Sequence, residues 1–582
     1  MKKIFHGIFI GIKNSLERFP LTIGITTTCV ILLIYMSEIT TGTNNDFIET
    51  LGRITMVIAL GVPFSLSIKL FFEGLESYKS IHMYISYLIS TVFLILYYYF
   101  FLQDIKMVSM SRYIGFSLVL YLIFLFISYL PNRDEFEFFV IRIFTRFFTT
   151  ILYSLVLYLG LAAILFTIDK LLGVNVNGEL YYYTYLIVAG IFAPTFFLAG
   201  IKVKNEILTI KEYSRLLLVL VLYIIMPLIC VYTVILYIYF GKIIITRQWP
   251  EGLVSHLVLW YSAITATVLF FITPLLHEKT WPRKFMRYFP KAILPLIVMM
   301  FISIGIRINA YGVTENRYFV VALGIWTFLV MIYFSTIKKL INIVLPISLA
   351  VITTISIFGP LSSYSVSKYN QNKRLNKIFA KNNMVLNNKV VKSNTKVSDA
   401  DSTQITSIVN YFENKHSLTD IKGLPDKFKT AEMESILGVK YIEENNQSSD
   451  KFYYFNSISS SDPIDINGYE YLFISNNNVQ QQNNVSKTFT IDFDNESSTL
   501  KITKDNVIIY KKDLMDFANI LIDKYGTSEM NKSLTQEEMS FEDETDKVKI
   551  KIQLSNVSIN KSLSNDKIQS KDFQFYVLFN MK

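Results

Sequence analysis

The sequence predicts a polytopic α-helical membrane bundle of about eleven transmembrane helices, followed by a C-terminal α+β soluble domain. Long apolar segments follow one another almost without interruption over residues 20–360, and residues 361–582 contain none. Each apolar segment is long enough to cross a hydrocarbon core of about 30 Å. The remaining residues are rich in Asn, Ser, Lys and Asp, and their apolar runs are short and alternating.

Residues 1–19 are expected to form an amphipathic helix in the membrane interface. Apolar side chains recur there at helical spacing, at Phe5, Ile8, Phe9, Ile12, Leu16 and Phe19. Charged and polar residues, among them Lys13 and Arg18, lie on the opposite face, which is typical of interfacial helices.

Apolar length places the transmembrane bundle within residues 20–360. The expected spans lie near 20–38, 54–72, 83–102, 112–130, 147–168, 182–201, 215–240, 253–275, 291–308, 318–336 and 341–360. A proline in the middle of three of these spans, at Pro63, Pro194 and Pro227, predicts kinks. Broken helices can mark transport sites, but kinks are also tolerated structurally in membranes.

The distribution of basic residues predicts the orientation. The net charge of +10 is concentrated in the N-terminus and the even-numbered connections, for example at Lys2, Lys3, Arg142, Lys202 and Arg287. By the positive-inside rule the N-terminus is cytoplasmic, and an odd number of spans leaves the C-terminal domain extracytoplasmic. We therefore expect a multi-pass plasma-membrane protein. Since the excess charge is not on a soluble surface, no nucleic-acid partner is expected.

A four-span repeat is suggested by similar cationic–aromatic stretches before spans one, five and nine. These begin at Arg18-Phe19-Pro20, Arg146-Phe147-Phe148 and Arg287-Tyr288-Phe289-Pro290. Four spans return the chain to the same side, so the repeats would be parallel. Alternatively, arginine beside an aromatic residue is a common interfacial anchor.

The strongest local pattern is "RINAYGVTENRYF" between spans nine and ten. Gly312 permits a tight turn, and Thr314 can cap a helix that starts with Glu315. We expect Arg307 to pair with Glu315, which would make this connection a structural clamp. The alternative is a site for an anion or lipid headgroup, because arginine presents a planar fork to phosphate or carboxylate. The candidate ligand residues are Arg307, Tyr311, Gly312, Thr314, Glu315, Arg317 and Tyr318.

These motifs resemble the bacterial DUF4153 membrane proteins, named for domain of unknown function 4153. The resemblance includes Arg18-Phe19-Pro20, Arg287-Tyr288-Phe289-Pro290 and the run from Arg307 to Tyr318. It extends to "SDADSTQITSIVNYFENKHSLTDIKGLPDKF" after the last span. It implies a polytopic membrane protein without an established activity, and it transfers no catalytic residue.

The remaining residues divide into two expected segments. Residues 361–397 are strongly basic and are predicted to be a stalk or linker, in contact with anionic lipid or cell-wall polymer, or simply solvated. Residues 398–582 are predicted to be the extracytoplasmic α+β domain. It begins with a helix capped near Ser402, and its "DKVKIKIQLSNVSI" segment alternates as a strand.

The leading functional hypothesis is an envelope sensor, binding or scaffold protein whose outer domain recognises a ligand or partner. The alternative is a transporter or lipid flippase that uses the kinked spans, and an envelope-modifying enzyme ranks third. The chain has no Walker A loop, HExxH or Gly-x-Ser-x-Gly motif, so no cofactor, metal or catalytic residue is expected. The expected partners are the bilayer, anionic lipid or wall polymer at the outer face, and other membrane proteins.

Overall fold

The computed structural model describes most of the chain. The described residues are 2–39, 45–75, 78–130, 135–174, 176–202, 206, 208, 213–247, 253–276, 278–386, 389–393, 397–425, 428–439, 450–457, 463–475, 484–485, 489–495, 497–505, 507–525, 531–562 and 568–582. The chain divides into two compact units, residues 1–442 and 443–582. The segment 398–442, expected to belong to the outer domain, therefore packs within the first unit.

Long apolar helices dominate the first unit. In chain order the helices up to residue 357 are α1 (Lys2–Arg18), α2 (Pro20–Ile39), α3 (Asn45–Gly74), α4 (Ser80–Phe101), α5 (Met107–Phe126), α6 (Phe136–Leu172), α7 (Gly178–Ile187), α8 (Ala193–Leu198), α9 (Arg215–Val219), α10 (Met226–Thr246), α11 (Leu253–Ile272), α12 (Thr280–Tyr311), α13 (Glu315–Thr336) and α14 (Val344–Ile357). Among the described residues, ten helical stretches are long and apolar enough to span a membrane. This confirms a polytopic helical bundle.

The expected eleventh span is α14, which has only 14 residues. At 1.5 Å per residue it is about 21 Å long, less than a hydrocarbon core of about 30 Å. It nevertheless runs from one end of the bundle to the other. Asn342, just before it, donates to Glu137 at the start of α6, and Ile357 at its end accepts from Arg112 on α5.

Arginines from different helices meet at the end of the bundle that contains the start of α2, here called the α1 end. Arg18 binds the Glu73 carboxylate at 2.6 Å and donates to the carbonyls of Ile201 and Lys202. Arg142 binds Glu206 at 2.6 Å and donates to the Gly200 carbonyl. Two arginine–glutamate pairs at this end therefore connect α1 to α3 and α6 to the residues after α8.

The remaining part of the first unit follows α14. It contains α15 (Ser363–Lys381), the two-residue strands β1 (Val385–Leu386) and β2 (Lys389–Val390), α16 (Asp399–Lys415) and α17 (Met433–Leu437). Leu375, Phe379, Phe412 and other apolar side chains form a separate small core. The α16 cap is Ser398, whose hydroxyl accepts from the Asp401 amide, so the prediction of a cap near Ser402 was four residues late.

The described residues of the second unit form two sheets and one helix, as expected for an α+β domain. Its elements are β3 (Asp450–Ser457), β4 (Tyr471–Ile474), β5 (Asn484–Val485), β6 (Phe489–Asp494), β7 (Thr499–Lys504), β8 (Val507–Asp513), α18 (Met515–Tyr525), β9 (Asn531–Leu534), β10 (Ser540–Glu544), β11 (Val548–Ser562) and β12 (Ile568–Met581). One sheet has the order β4-β12-β11-β3-β9, with β10 also paired to β11, and the other has the order β5-β6-β7-β8.

The predicted alternation along β11 is present. Val548, Ile550, Ile552 and Leu554 are fully buried in the core of the second unit. Residues on one strand face alternate sides of a sheet, so this pattern needs one buried face. The sequence therefore predicted both the strand and the side that packs.

Candidate functional site

The α12–α13 connection is a tight turn around Gly312. This glycine has a φ of +74°, a conformation that disfavours residues with a side chain. A Cβ at this position would lie 2.7 Å from Cδ of Arg374 and 2.8 Å from Oδ1 of Asn370. Glycine is therefore required at position 312 for two reasons, the positive backbone angle and the close approach of α15.

Amide side chains of α15 satisfy the backbone of this turn. Asn370 accepts from the Val313 amide at 2.8 Å. Gln371 donates to the carbonyls of Tyr311 and Val313 at 3.2 and 3.0 Å. In addition, the Tyr318 hydroxyl donates to the Leu361 carbonyl at 2.6 Å. These hydrogen bonds hold the segment after α14 against the α12–α13 connection. The end of the bundle that contains this connection is here called the α13 end.

Two arginines hold the C-terminal carbonyls of α12. Arg374 donates to the Ala310 carbonyl at 2.8 Å. Arg317 donates to Tyr311 and Gly312 carbonyls at 3.2 and 2.8 Å. The last carbonyls of a helix have no partner within it and carry partial negative charge, so these contacts stabilise the helix end. Arg317 also lies 5.5 Å from the centre of the Tyr311 ring.

Together with Arg307, these side chains form a cluster of three like charges, here called the arginine cluster. Both Arg307 and Arg374 are close enough to repel the Arg317 guanidinium. Burial lowers the pKa of Arg374, but a guanidinium stays protonated in proteins. Within the described part of the chain, none of the three forms an ion pair with a carboxylate. The helix end supplies only about half a negative charge, so the cluster retains a large positive excess.

Glu315 does not pair with Arg307, and that prediction was wrong. Its carboxylate lies instead 2.7 Å from Nε2 of His416 and 2.6 Å from the Tyr411 hydroxyl. The side chains of Glu315 and His416 are each only 3% exposed. The end of α16 packs over the first turn of α13 and offers these two partners, whereas Arg307 belongs to the preceding helix.

The three side chains of Glu315, Tyr411 and His416 form a closed network, since Tyr411 and His416 are themselves 2.8 Å apart. Burial, and then the negative charge of Glu315, raise the pKa of the Tyr411 hydroxyl. Tyr411 is therefore a neutral donor to the carboxylate. A carboxylate, an imidazole and a phenol can exchange protons, but groups this deeply buried act on each other and not on a dissolved substrate.

The remaining predicted positions are distributed over the bundle. Thr314 occupies the N-cap position of α13, without the predicted side-chain hydrogen bond. Pro63 lies inside α3. Pro194 and Pro227 each follow a π-helical segment, Val188–Phe192 before α8 and Leu220–Ile225 before α10. The structure does not bring these prolines into the α12–α13 connection.

A family model described as a domain of unknown function, DUF4153, matches residues 26–386. The chain belongs to the DUF4153 family. An uncharacterised protein of Pasteurella multocida (strain Pm70) is 28% identical over 141 residues, which are 24% of this chain and 24% of that protein. The chain thus aligns with about a quarter of this relative's length. No solved structure matches the chain.

The DUF4153 match covers only part of the candidate site. The arginine cluster, Gly312 and Glu315 all lie inside residues 26–386, whereas Tyr411 and His416 lie beyond them. The sequence pointed to Arg307, Arg317 and Glu315 through their spacing. It gave no local signal for Arg374, Tyr411 or His416, because these residues join the site only when α15 and α16 fold onto the connection.

Proposed function

We propose that this DUF4153 protein binds a phosphodiester group of the cell envelope at the arginine cluster, with the helical bundle as scaffold and receiver. The positive-inside rule assigns the α1 end to the cytoplasm, so in this proposal the α13 end and the C-terminal residues are extracytoplasmic. A phosphodiester there could belong to an outer-leaflet lipid or to a wall polymer. The membrane concerned is the plasma membrane.

The observation that carries the proposal is the unbalanced charge of Arg307, Arg317 and Arg374. Glu315, the acid near Arg307 and Arg317 in the sequence, is engaged by Tyr411 and His416. Uncompensated like charges destabilise a fold unless a counter-ion offsets them. Arginine is well suited to a phosphate, because its planar fork donates two hydrogen bonds at once.

Arg307 provides the cleanest test because its side chain makes no hydrogen bond to described residues, so its replacement should leave the fold intact. Purified protein in zwitterionic nanodiscs is titrated with glycerophosphoglycerol, a soluble phosphodiester, and separately reconstituted with phosphatidylglycerol, while thermal stability is measured. We expect stabilisation of the wild type by at least one probe, and loss of most of it in Arg307→Gln. Arg307→Lys should bind more weakly than the wild type, because an ammonium lacks the fork.

The matched control is Lys373→Gln, the same loss of charge at an exposed position beside Arg374. It should retain the stabilisation. Stabilisation by glycerophosphoglycerol alone would indicate a polymer or soluble diester, whereas stabilisation by phosphatidylglycerol alone would indicate a lipid headgroup. Equal stabilisation of wild type, Arg307→Gln and Lys373→Gln by both probes would eliminate the proposal.

Transport is a second candidate function, and a specific feature favours it. Two consecutive spans contain a π-helical segment that ends two residues before a proline, Pro194 in one span and Pro227 in the next. Such segments interrupt regular helical hydrogen bonding and are frequent at functional sites. Flux of phosphodiester-bearing lipid across proteoliposomes, lost on Pro227→Ala, would support transport over simple binding.

A further inference from the structure

A cavity of about 330 Å³ lies at the opposite end of α12 from the arginine cluster. It is lined by Leu222, Tyr223, Pro227, Lys279, Trp281 and Pro282. The first three residues belong to the seventh span, and the others to the first turn of α12 and the residue before it. Arg307 of the arginine cluster follows Trp281 by 26 residues within α12, which is about 39 Å of helix at 1.5 Å per residue.

The irregular backbone of the seventh span explains why space remains here. Residues Leu220–Ile225 are π-helical, and the Met226 amide donates to Val221, five residues back. Pro227 has no N–H to offer to Tyr223, its partner in a regular α-helix. A π turn is wider than an α turn and displaces the side chains around it. Pro282 is also a rigid ring, and it does not fill the gap.

The two ends of the cavity differ in chemistry. At one end the Lys279 ammonium lies 5.9 Å from the centre of the Tyr223 ring, and within the described residues it has no carboxylate partner. Trp281 is 43% exposed beside it, and Trp and Tyr favour the membrane interface. The other end is Pro227, twelve residues into the span that starts at Arg215, or about 18 Å of helix.

The surroundings favour a negatively charged amphiphile. Arg283, Lys284, Arg287 and Lys291 follow Lys279 within the next turns, and Glu278 is the single acid among residues 278–291. Exposed apolar side chains next to the cavity, Tyr223, Ile224 and Leu228, belong to the lipid-facing surface of the span. An occupant can therefore enter sideways from the bilayer, with its charge at the interface and its chain beside Pro227.

We propose that this cavity, called the groove below, holds one anionic glycerophospholipid, with its phosphate against Lys279 and an acyl chain along Tyr223 and Pro227. A cationic end at the interface complements the phosphate, and Trp281 and Tyr223 contact the glycerol region. The apolar remainder accepts a hydrocarbon chain. A basic side chain near an anionic surface contributes about 1 kcal/mol, which corresponds to about five-fold enrichment over a zwitterionic lipid.

The test uses the full chain in nanodiscs of unlabelled phosphatidylcholine. These nanodiscs also contain a lipid with brominated acyl chains, which is phosphatidylglycerol in one sample and phosphatidylcholine in the other. Bromine quenches tryptophan fluorescence at short range, and the Trp281 signal is the difference between wild type and Trp281→Phe. At equal mole fraction, brominated phosphatidylglycerol should quench Trp281 markedly more than brominated phosphatidylcholine. Equal quenching by the two lipids in the wild type would overturn the proposal.

Variants assign the effect to the groove. Lys279→Gln should abolish the preference for phosphatidylglycerol, and Lys279→Arg should preserve it. Lys284→Gln, which removes the same charge from an exposed position outside the lining, should leave it unchanged. Arg307→Gln should also leave it unchanged, so this result is independent of the arginine cluster. If Lys279→Gln and Lys284→Gln reduce the preference equally, general surface charge and not a groove attracts the lipid.

Discussion

The Glu315 carboxylate lies 2.7 Å from Nε2 of His416, although 101 residues separate them in the chain. This contact joins the first turn of α13, at the membrane boundary, to the end of α16. It also removes Glu315 as a counter-ion for the nearby arginines. This buried pair therefore holds the end of α16 against α13. It also leaves the arginine cluster without an acidic counter-ion.

The first prediction concerns this pair. Removing one partner of a buried, hydrogen-bonded pair costs about 3–5 kcal/mol, because the other partner remains desolvated. We expect Glu315→Gln and His416→Ala each to lower the thermal stability strongly. The double variant should be little worse than either single variant, because groups in contact are not independent. Unfolding of the purified variants in one detergent measures this.

Glu434→Gln is the control for that cycle, since Glu434 is exposed on α17. Surface substitutions usually change stability by less than about 0.5 kcal/mol. If the two single losses add in the double variant, Glu315 and His416 do not act as a pair and the fastening role is wrong.

The second prediction compares two glycines of one hairpin. Gly312→Ala should cost about 1–3 kcal/mol from its left-handed backbone alone. The added methyl group must also displace Arg374 and Asn370. Gly305→Ala, in the regular part of α12, meets nothing within 4 Å and should stabilise by about 0.5–1 kcal/mol. Thermal unfolding of both variants tests this, and equal effects would show that α15 does not close on the turn.

The sequence predicted the elements better than the contacts between them. Apolar length located the spans, and the alternation of Val548, Ile550 and Ile552 located β11, because both patterns repeat over neighbouring residues. The partners of Glu315 could not be predicted, because they depend on how α16 folds back. Local spacing favoured a nearby arginine, Arg307, as the partner.

Local signals were also incomplete inside the bundle. Pro194 and Pro227 predicted irregular helices, but not the π-helical segments before them, because several backbone arrangements accommodate a missing N–H. Similarly, the apolar run at 341–360 predicted a full span. The helix itself is Val344–Ile357. The contacts of Asn342 and Ile357, and not the length of this helix, show that the chain crosses from one end of the bundle to the other.

That crossing decides which side of the membrane the C-terminal residues occupy, and the proposed envelope function depends on it. In a background with Cys29→Ala and Cys230→Ala, a cysteine is introduced either at Asn376 on α15 or at Lys284 on α12, both exposed. Intact cells are then treated with a membrane-impermeant maleimide. We predict labelling of Asn376→Cys on intact cells and of Lys284→Cys only after lysis. Labelling of both variants under the same condition would contradict the α14 crossing, and the reverse pattern would place the arginine cluster in the cytoplasm.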